Sequence, residues 1–191
     1  MGHHSNTKYA EKIAGLPKPA NTWPRWIVTG GGLGFLRPAP GSWGTVGPAL
    51  IYYVALLLGA HQHFALLGIG LLAGALITGA LLVRYGFWAC CYFRKVDPGS
   101  VVLDEFAGFF VTAAFMPIPA WFQTDALHLW YWVAILYVLF RLTDTLKIPP
   151  ARELEALPWG WGILLDDIAA GIQANIILQI AVQILARYGH A

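Results

Sequence analysis

Charged residues are scarce in this chain of 191 residues. It contains 12 Lys or Arg and 10 Asp or Glu, 12% in all, whereas an ordinary soluble domain has about 25%. Hydrophobic residues make up 58%, which excludes intrinsic disorder because such a chain collapses. This number of charged residues is too small for the water-exposed surface of a soluble globular protein. A net charge of +2 without a dense basic cluster disfavours nucleic-acid binding. The composition indicates a polytopic membrane protein of one domain.

Cysteine is also scarce, and several phosphatase motifs are missing. Cys90 and Cys91 are adjacent, so they do not form an ordinary disulfide with each other. Neither is followed six residues later by arginine, and no D-x-D-x-T motif occurs. Phosphatases that use a cysteine or aspartyl-phosphate nucleophile of these types are therefore disfavoured.

Five apolar runs alternate with short polar segments. The second run has 19 residues, the length that a helix needs to cross a bilayer. The pattern predicts an all-α fold, a polytopic membrane helical bundle with about five membrane-embedded helices. We expect an N-terminal cytoplasmic arm over residues 1–22 and a single membrane-embedded domain over residues 23–191. The runs are 46–60, 65–83, 106–122, 127–140 and 168–186.

Lys and Arg are distributed unevenly between the segments that connect these runs. The connections at 59–64 and 117–126 contain none, whereas 84–105 and 141–155 are rich in them, as is the N-terminal region. The positive-inside rule therefore places the basic segments in the cytoplasm. The last run has no charge but carries amides: Asn175, Gln179 and Gln183 are four residues apart and share one helix face, which favours a polar seam between helices.

Six of the ten carboxylates lie in three short segments on the predicted cytoplasmic side. One acid at a helix start is explained by the helix dipole. Adjacent acids at an apolar boundary repel each other, and desolvation adds to the cost. A divalent cation removes that cost, and carboxylate-only sites suit Mg²⁺. The predicted Mg²⁺ ligands are Asp97, Asp104, Glu105, Asp144, Asp166 and Asp167.

A charged stripe follows the fourth apolar run, because Arg141, Asp144 and Lys147 are spaced three apart. It is either a solvated ion-pair face or a site in which two cations bind phosphate and one acid binds metal. The glycine-rich loop at 30–34 offers backbone N–H groups that could cradle an anion, and hydroxyls follow it. The predicted phosphate-binding residues are Arg141, Lys147, Arg37, Ser42 and Thr45.

Three blocks of sequence resemble the bacterial phosphatidylglycerophosphatase A family. The first, G-L-G at 32–34 with A-P-G-S-W-G-T at 39–45, is similar to the family's G-x-G and A-P-G-T-x-G. The second, D-P at 97–98 with V-V-L-D-E-F-A-G at 101–108, is similar to D-P-x-x-V-V-x-D-E-x-x-G. The third, F-R-L-T-D-T-L-K at 140–147 with G-I-L-L-D-D-I-A-A-G at 162–171, is similar to F-R-x-x-D-x-x-K-P and G-I-M-x-D-D-x-x-A-G. Ser42 replaces the usual Thr, and Ile148 the usual Pro.

The resemblance implies a Mg²⁺-dependent enzyme of the bacterial inner membrane that hydrolyses phosphatidylglycerophosphate to phosphatidylglycerol and inorganic phosphate at a cytoplasmic-side site. The implied partners are this lipid and the surrounding membrane lipids. Both attack by metal-activated water and attack by a carboxylate remain open. The alternative is an ion- or proton-coupled transporter that uses the same carboxylates, although their position at helix ends and the lack of an internal repeat disfavour it. The candidate catalytic residues are Asp104, Glu105, Asp144, Asp167 and Lys147.

Overall fold

A computed structural model describes residues 13, 15–146, 149 and 160–188, and within them it contains α-helices and short 3₁₀ turns but no strand. The predicted all-α class is confirmed. The α-helices whose bounds lie within the described residues are α1 (Pro24–Val28), α2 (Pro40–Leu57), α3 (Phe64–Phe93), α4 (Leu103–Ala113), α5 (Ala126–Leu146) and α6 (Gly160–Tyr188).

In the described part of the chain, three helices are long and apolar enough to cross a membrane: α3, α5 and the part of α6 from Trp161 to Arg187. Their outer faces leave large apolar side chains uncovered, for example Leu76, which is 75% exposed, and Ile184, which is 49% exposed. A soluble monomer rarely exposes so much contiguous apolar surface. The outer faces are therefore suited to contact with lipid chains.

The third apolar run does not form one continuous helix, contrary to the expectation for 106–122. Helix α4 ends at Ala113, and Phe115 has a positive φ of 51°. Pro117 and Pro119 follow and have no N–H to continue a helix. The 11 residues of α4 span only about 17 Å, so this helix is too short to cross a bilayer by itself.

This short helix is the centre of the bundle. It packs against α6, α3, α2 and α5, and eight of its 11 residues are buried. Its first turn lies beside Asp167, about two turns into α6, and beside the start of α2, close to the end of α5. One end of the bundle therefore brings three other helices, α2, α5 and α6, to the first turn of α4.

The other end of α4 stops inside the bundle, where its last carbonyl groups need donors. Asn175 of α6 supplies them: its Nδ2 lies 3.2 Å from the carbonyl oxygen of Val111, 2.8 Å from that of Thr112 and 2.9 Å from that of Ala114. Gln179 Nε2 donates in turn to Asn175 Oδ1 at 2.7 Å. The predicted polar seam between helices is thus confirmed for Asn175 and Gln179.

The segment before α4 anchors its first turn. The Val102 N–H donates to the carbonyl oxygen of Val28 at 2.9 Å, and Val102 is fully buried. A Cβ at Gly44 of α2 would lie 2.6 Å from the Val102 Cβ, so the α2 backbone comes very close. Of the predicted N-terminal arm, Ile13 is buried, while residues 1–12 and 14 lie outside the described part of the chain. The division at residue 22 stays a prediction.

Candidate metal and phosphate site

Three carboxylates from two helices converge at the first turn of α4. Asp104 and Glu105 belong to that turn, and Asp167 comes from α6; one oxygen of each lies within 4.8 Å of the others. Asp104 is 7% exposed, Asp167 is 5% exposed, and the Glu105 side chain is 12% exposed. We refer to these residues as the carboxylate cluster.

Two glycines allow α4 and α6 to approach closely enough to form this cluster. Gly108 follows Asp104 by four residues and Gly171 follows Asp167 by four, about one helical turn in each case. A Cβ at Gly108 would lie 2.7 Å from the carbonyl oxygen of Asp167, and a Cβ at Gly171 would overlap the carbonyl oxygen of Gly108. The two backbones therefore touch, and the acids one turn earlier meet.

Part of the cluster's hydrogen-bonding capacity is unused. Asp104 Oδ1 and Glu105 Oε2 are buried without a hydrogen-bond partner among the described residues. Burial raises the pKa of Glu105 to about 7; burial and then the charge of Glu105 hold the pKa of Asp104 well above its usual range. Unpaired buried carboxylates are costly. Because every ligand atom that the cluster offers is a carboxylate oxygen, the cluster fits a hard divalent cation.

Arg141 and Asp144 stand beside the cluster, at the end of α5. Arg141 Nη1 lies 2.8 Å from Asp144 Oδ2 and 4.0 Å from Glu105 Oε1, with both α5 side chains partly buried. Asp144 is also a close charged neighbour of Asp167. The structure thus brings two of the three members of the predicted charged stripe to the carboxylates. The third, Lys147, lies outside the described residues.

The first turn of α2 covers the cluster from another side. A Cβ at Gly41 would overlap Glu105 Oε1 and would lie 3.3 Å from Arg141 Nη2. Only glycine leaves room for the carboxylate and the guanidinium so close to this backbone. The A-P-G block of the sequence therefore brings the start of a helix, with its positive dipole end, next to the acids.

The two hydroxyl residues of that block, Ser42 and Thr45, differ in burial and in hydrogen bonding. Thr45 is fully buried, and its Oγ1 donates to the carbonyl oxygen of Gly41 at 3.0 Å, so this hydroxyl is engaged within α2. Ser42 is partly buried, and its carbonyl oxygen accepts a hydrogen bond from the Tyr137 hydroxyl at 3.1 Å. Arg37 is exposed and lines a separate cavity. Their predicted role in phosphate binding stays a prediction.

Two further predicted metal ligands surround the cluster without belonging to it. Asp166 is buried, and its Oδ1 accepts the backbone N–H of Asp167 at 3.1 Å. Asp97 is exposed and contributes to the electrostatic environment of Asp104. Both remain candidate ligands.

The glycine-rich loop uses its amides internally, contrary to the expectation that they face an anion. Its N–H groups donate to the carbonyl oxygens of residues 26–29 at the end of α1, and three consecutive glycines have positive φ angles. The loop is a tight turn that ends α1, and the N–H groups of its four glycines are used in making that turn. The donating residues are Gly30, Gly31, Gly32 and Gly34.

Sequence reasoning missed the residues that bring the site together. Gly41, Gly108 and Gly171 carry no functional group, and their contribution is the close backbone contact that each permits. One signal was present: in both acidic blocks, a glycine follows the acid by four residues.

Comparisons with known proteins agree with the geometry. The family model for phosphatidylglycerophosphatase A matches residues 26–182. A Haemophilus influenzae protein named phosphatidylglycerophosphatase A is 33% identical over 160 residues, which cover 80% of this chain and 84% of that protein. An Escherichia coli protein of the same name is 28% identical over 162 residues, or 84% of each chain.

A third relative carries a different name. A Bacteroides thetaiotaomicron protein, provisionally named a phosphatidylinositol-3-phosphatase, is 33% identical over 165 residues, which cover 83% of this chain and 92% of that protein. No solved structure matches the chain significantly. Because the family model covers most of the sequence, the chain belongs to the phosphatidylglycerophosphatase A family.

Proposed function

We propose that this chain hydrolyses the terminal phosphate of phosphatidylglycerophosphate, giving phosphatidylglycerol and inorganic phosphate, with Mg²⁺ held at the carboxylate cluster. The observation that carries the proposal is the convergence of three buried carboxylates beside Arg141. Family membership supports the reaction class, and two relatives are named for this activity. The positive-inside rule supports a cytoplasmic-side site in the bacterial inner membrane.

The cluster residues Asp104, Glu105 and Asp167 would hold the ion, and the acids around them are further candidate ligands. Bound there, Mg²⁺ would polarise the phosphoryl group and make water more acidic. Mg²⁺ takes six oxygen ligands and keeps several waters, so not every carboxylate is needed as a ligand. The surplus supports either a second ion or a free carboxylate that acts as a base. The surrounding candidates are Asp97, Asp144 and Asp166.

Side chains of the protein activate the attacking water and stabilise the charge on the phosphoryl group. A carboxylate that is not a ligand orients the attacking water and accepts its proton. The water oxygen forms a bond to phosphorus while the bond from phosphorus to the glycerol oxygen breaks, and that oxygen takes up a proton as phosphatidylglycerol leaves. Arg141 and Lys147 stabilise the charge on the equatorial phosphoryl oxygens. Attack by a carboxylate itself is the second possible route.

Phosphate release by the purified protein in detergent micelles tests the proposal. We expect release from phosphatidylglycerophosphate that requires Mg²⁺ and stops when EDTA is added. Phosphatidylinositol 3-phosphate is the comparison substrate, because one relative is named for it. Faster hydrolysis of that lipid would reassign the substrate. No Mg²⁺-dependent release from either lipid, together with ion flux in proteoliposomes, would favour the transporter alternative.

A further inference from the structure

We propose that a cavity lined by Arg37 and Lys95 binds the phosphodiester group of the lipid substrate and so selects lipids that carry a second phosphate. This inference rests on the proposed function and deepens it, because it concerns which phosphorylated lipid the same site accepts. We call this space the Arg37–Lys95 cavity.

The cavity has a volume of about 380 Å³, within the range of small-ligand pockets. Its walls come from the loop before α2, the first residue of α2, the end of α3 and residues 98–100. Among the described residues that line it, Arg37 and Lys95 are the two basic ones and none is acidic. The space therefore has the charge that an anionic group requires.

The two cationic side chains are available to a ligand. Both are exposed, and within the described part of the chain neither side chain forms an ion pair or hydrogen bond. Arginine matches two phosphate oxygens at once, whereas lysine acts as a point charge. Pro40, the first residue of the 18-residue helix α2, also lines the cavity, so the positive end of that helix adds to the field.

The cavity adjoins the carboxylate cluster through two short connections. Pro40 lines the cavity, and the next residue, Gly41, packs against Glu105 and Arg141; consecutive Cα atoms are about 3.8 Å apart. Ser100, on the other wall, precedes Asp104 by four residues, at most about 14 Å of extended chain. The two phosphates of phosphatidylglycerophosphate, separated by one glycerol unit, match two anion-binding regions placed this close together.

The proposal separates lipids by chemistry. Phosphatidylglycerophosphate carries a terminal monoester and an internal diester, whereas phosphatidic acid carries a monoester alone. The product, phosphatidylglycerol, keeps only the diester, and inorganic phosphate resembles only the terminal group. The Arg37–Lys95 cavity should therefore contribute to binding of phosphatidylglycerophosphate and phosphatidylglycerol. It should contribute nothing to binding of phosphatidic acid or inorganic phosphate.

The double variant Arg37→Gln/Lys95→Gln tests this in detergent micelles. Loss of two charge-assisted contacts should lower kcat/KM for phosphatidylglycerophosphate roughly 10- to 100-fold, while kcat/KM for phosphatidic acid changes less than about twofold. Inhibition by phosphatidylglycerol should weaken, and inhibition by inorganic phosphate should not. The swapped variant Arg37→Lys/Lys95→Arg should recover most of the preference. Arg84→Gln, which removes an exposed cation stacked on Tyr85, is the matched control.

Direct binding of phosphatidylglycerol to the folded protein separates this proposal from the proposed function. If the wild-type protein releases no phosphate, the proposed function fails, and the difference in phosphatidylglycerol binding still decides the role of the cavity. Unchanged phosphatidylglycerol affinity in the double variant overturns the inference. So does an equal loss of kcat/KM on both lipids, because that result would show a general effect on the site.

Discussion

Gly108 of α4 and Gly171 of α6 lie back to back, and the Gly108 carbonyl oxygen fills the space that a Cβ of Gly171 would need. Thr112 Oγ1 donates to the carbonyl oxygens of both glycines, at 3.0 and 3.4 Å. Asp104 meets Asp167 one turn before this contact, so the two helices run in the same direction. One helix crossing therefore determines the geometry of the carboxylate cluster.

Gly171→Ala should disrupt the cluster without removing any functional group. The added methyl group must push the α4 backbone away, and overpacking of this kind costs about 1–3 kcal/mol. We expect a lower Tm and a smaller gain in Tm when Mg²⁺ is added, because Asp104 and Asp167 move apart. Thermal unfolding in detergent, measured with EDTA and with Mg²⁺, gives both quantities.

Gly70→Ala is the matched control for that variant. Gly70 is in α3, and a Cβ there would meet nothing within 4 Å. Alanine is the better helix former by up to about 1 kcal/mol, so this change should leave stability equal or slightly higher. Equal Tm values and equal Mg²⁺ responses for the two variants would show that the Gly108–Gly171 contact is not needed.

Much of the site could be predicted from sequence because its chemistry lies in local patterns. The two pairs of adjacent acids beside apolar runs predicted a carboxylate cluster, and the three-residue spacing is that of the Arg141–Asp144 ion pair. These inferences needed only helix periodicity and the cost of burying charge. The expectation that Asp166 and Asp167 precede their helix is wrong, because α6 already begins at Gly160. Asp104 pairs with Asp167 because Gly108 and Gly171, four residues later, allow α4 and α6 to touch. The sequence alone does not reveal which helix packs against each glycine.

What could not be predicted depends on long-range packing. The early end of α4 is compatible with an apolar sequence only because Asn175, more than 60 residues away, supplies donors to its carbonyl groups. The glycine-rich loop has the composition of an anion-binding loop, yet its amides close a turn against α1. Composition reveals that such amides exist and does not reveal what they bind.

Asp104→Asn and Asp167→Asn should show whether these two carboxylates bind the metal. Asparagine keeps the size of aspartate and one acceptor oxygen but loses the charge that Mg²⁺ requires. Without metal, the Tm should stay the same or rise, because repulsion between buried carboxylates is relieved. The gain in Tm from Mg²⁺ should disappear, and phosphate release should fall by at least about tenfold.

Asp125→Asn is the control for these two changes. Asp125 is exposed and pairs with His128 at 2.9 Å, just before α5. Asp125 lies about 28 Å along that helix from Asp144. The Asp125→Asn variant should therefore keep both the activity and the Mg²⁺ response. Wild-type rates and Mg²⁺ dependence in Asp104→Asn and Asp167→Asn would mean that the metal binds elsewhere.

Arg141→Lys tests geometry at constant charge. Arg141 Nη1 lies between Asp144 and Glu105, which leaves the other guanidinium nitrogens for phosphate oxygens. A lysine ammonium lacks this planar set of donors. We expect kcat to fall roughly tenfold, as for the loss of one charge-assisted hydrogen bond.

Lys147→Gln should also lower turnover in a protein that remains folded in detergent. Full activity in Lys147→Gln would remove that residue from the site.

Cysteine labelling in intact cells tests the orientation. After replacement of Cys90 and Cys91, which are free and buried, single cysteines are introduced at Lys147 and Asp125. An impermeant maleimide should label position 125 from outside, while position 147 should react only after permeabilisation, because basic segments stay in the cytoplasm. The reverse labelling pattern would invert the topology and move the carboxylate cluster to the outer face.

Asn175→Leu should show how much the hydrogen bonds to the last carbonyl groups of α4 contribute to stability. The change leaves the carbonyl oxygens of Val111, Thr112 and Ala114 without the donor they share, and unpaired buried polar groups cost about 1–3 kcal/mol. We expect Tm to fall by about 2–4 °C per kcal/mol, measured in detergent with EDTA. Gln183→Leu, an exposed amide on the same face of α6, should leave Tm unchanged, since removing it uncovers no carbonyl group. If the two variants unfold at the same temperature, water or lipid satisfies the end of α4, and Asn175 is not what permits this helix to stop inside the bundle.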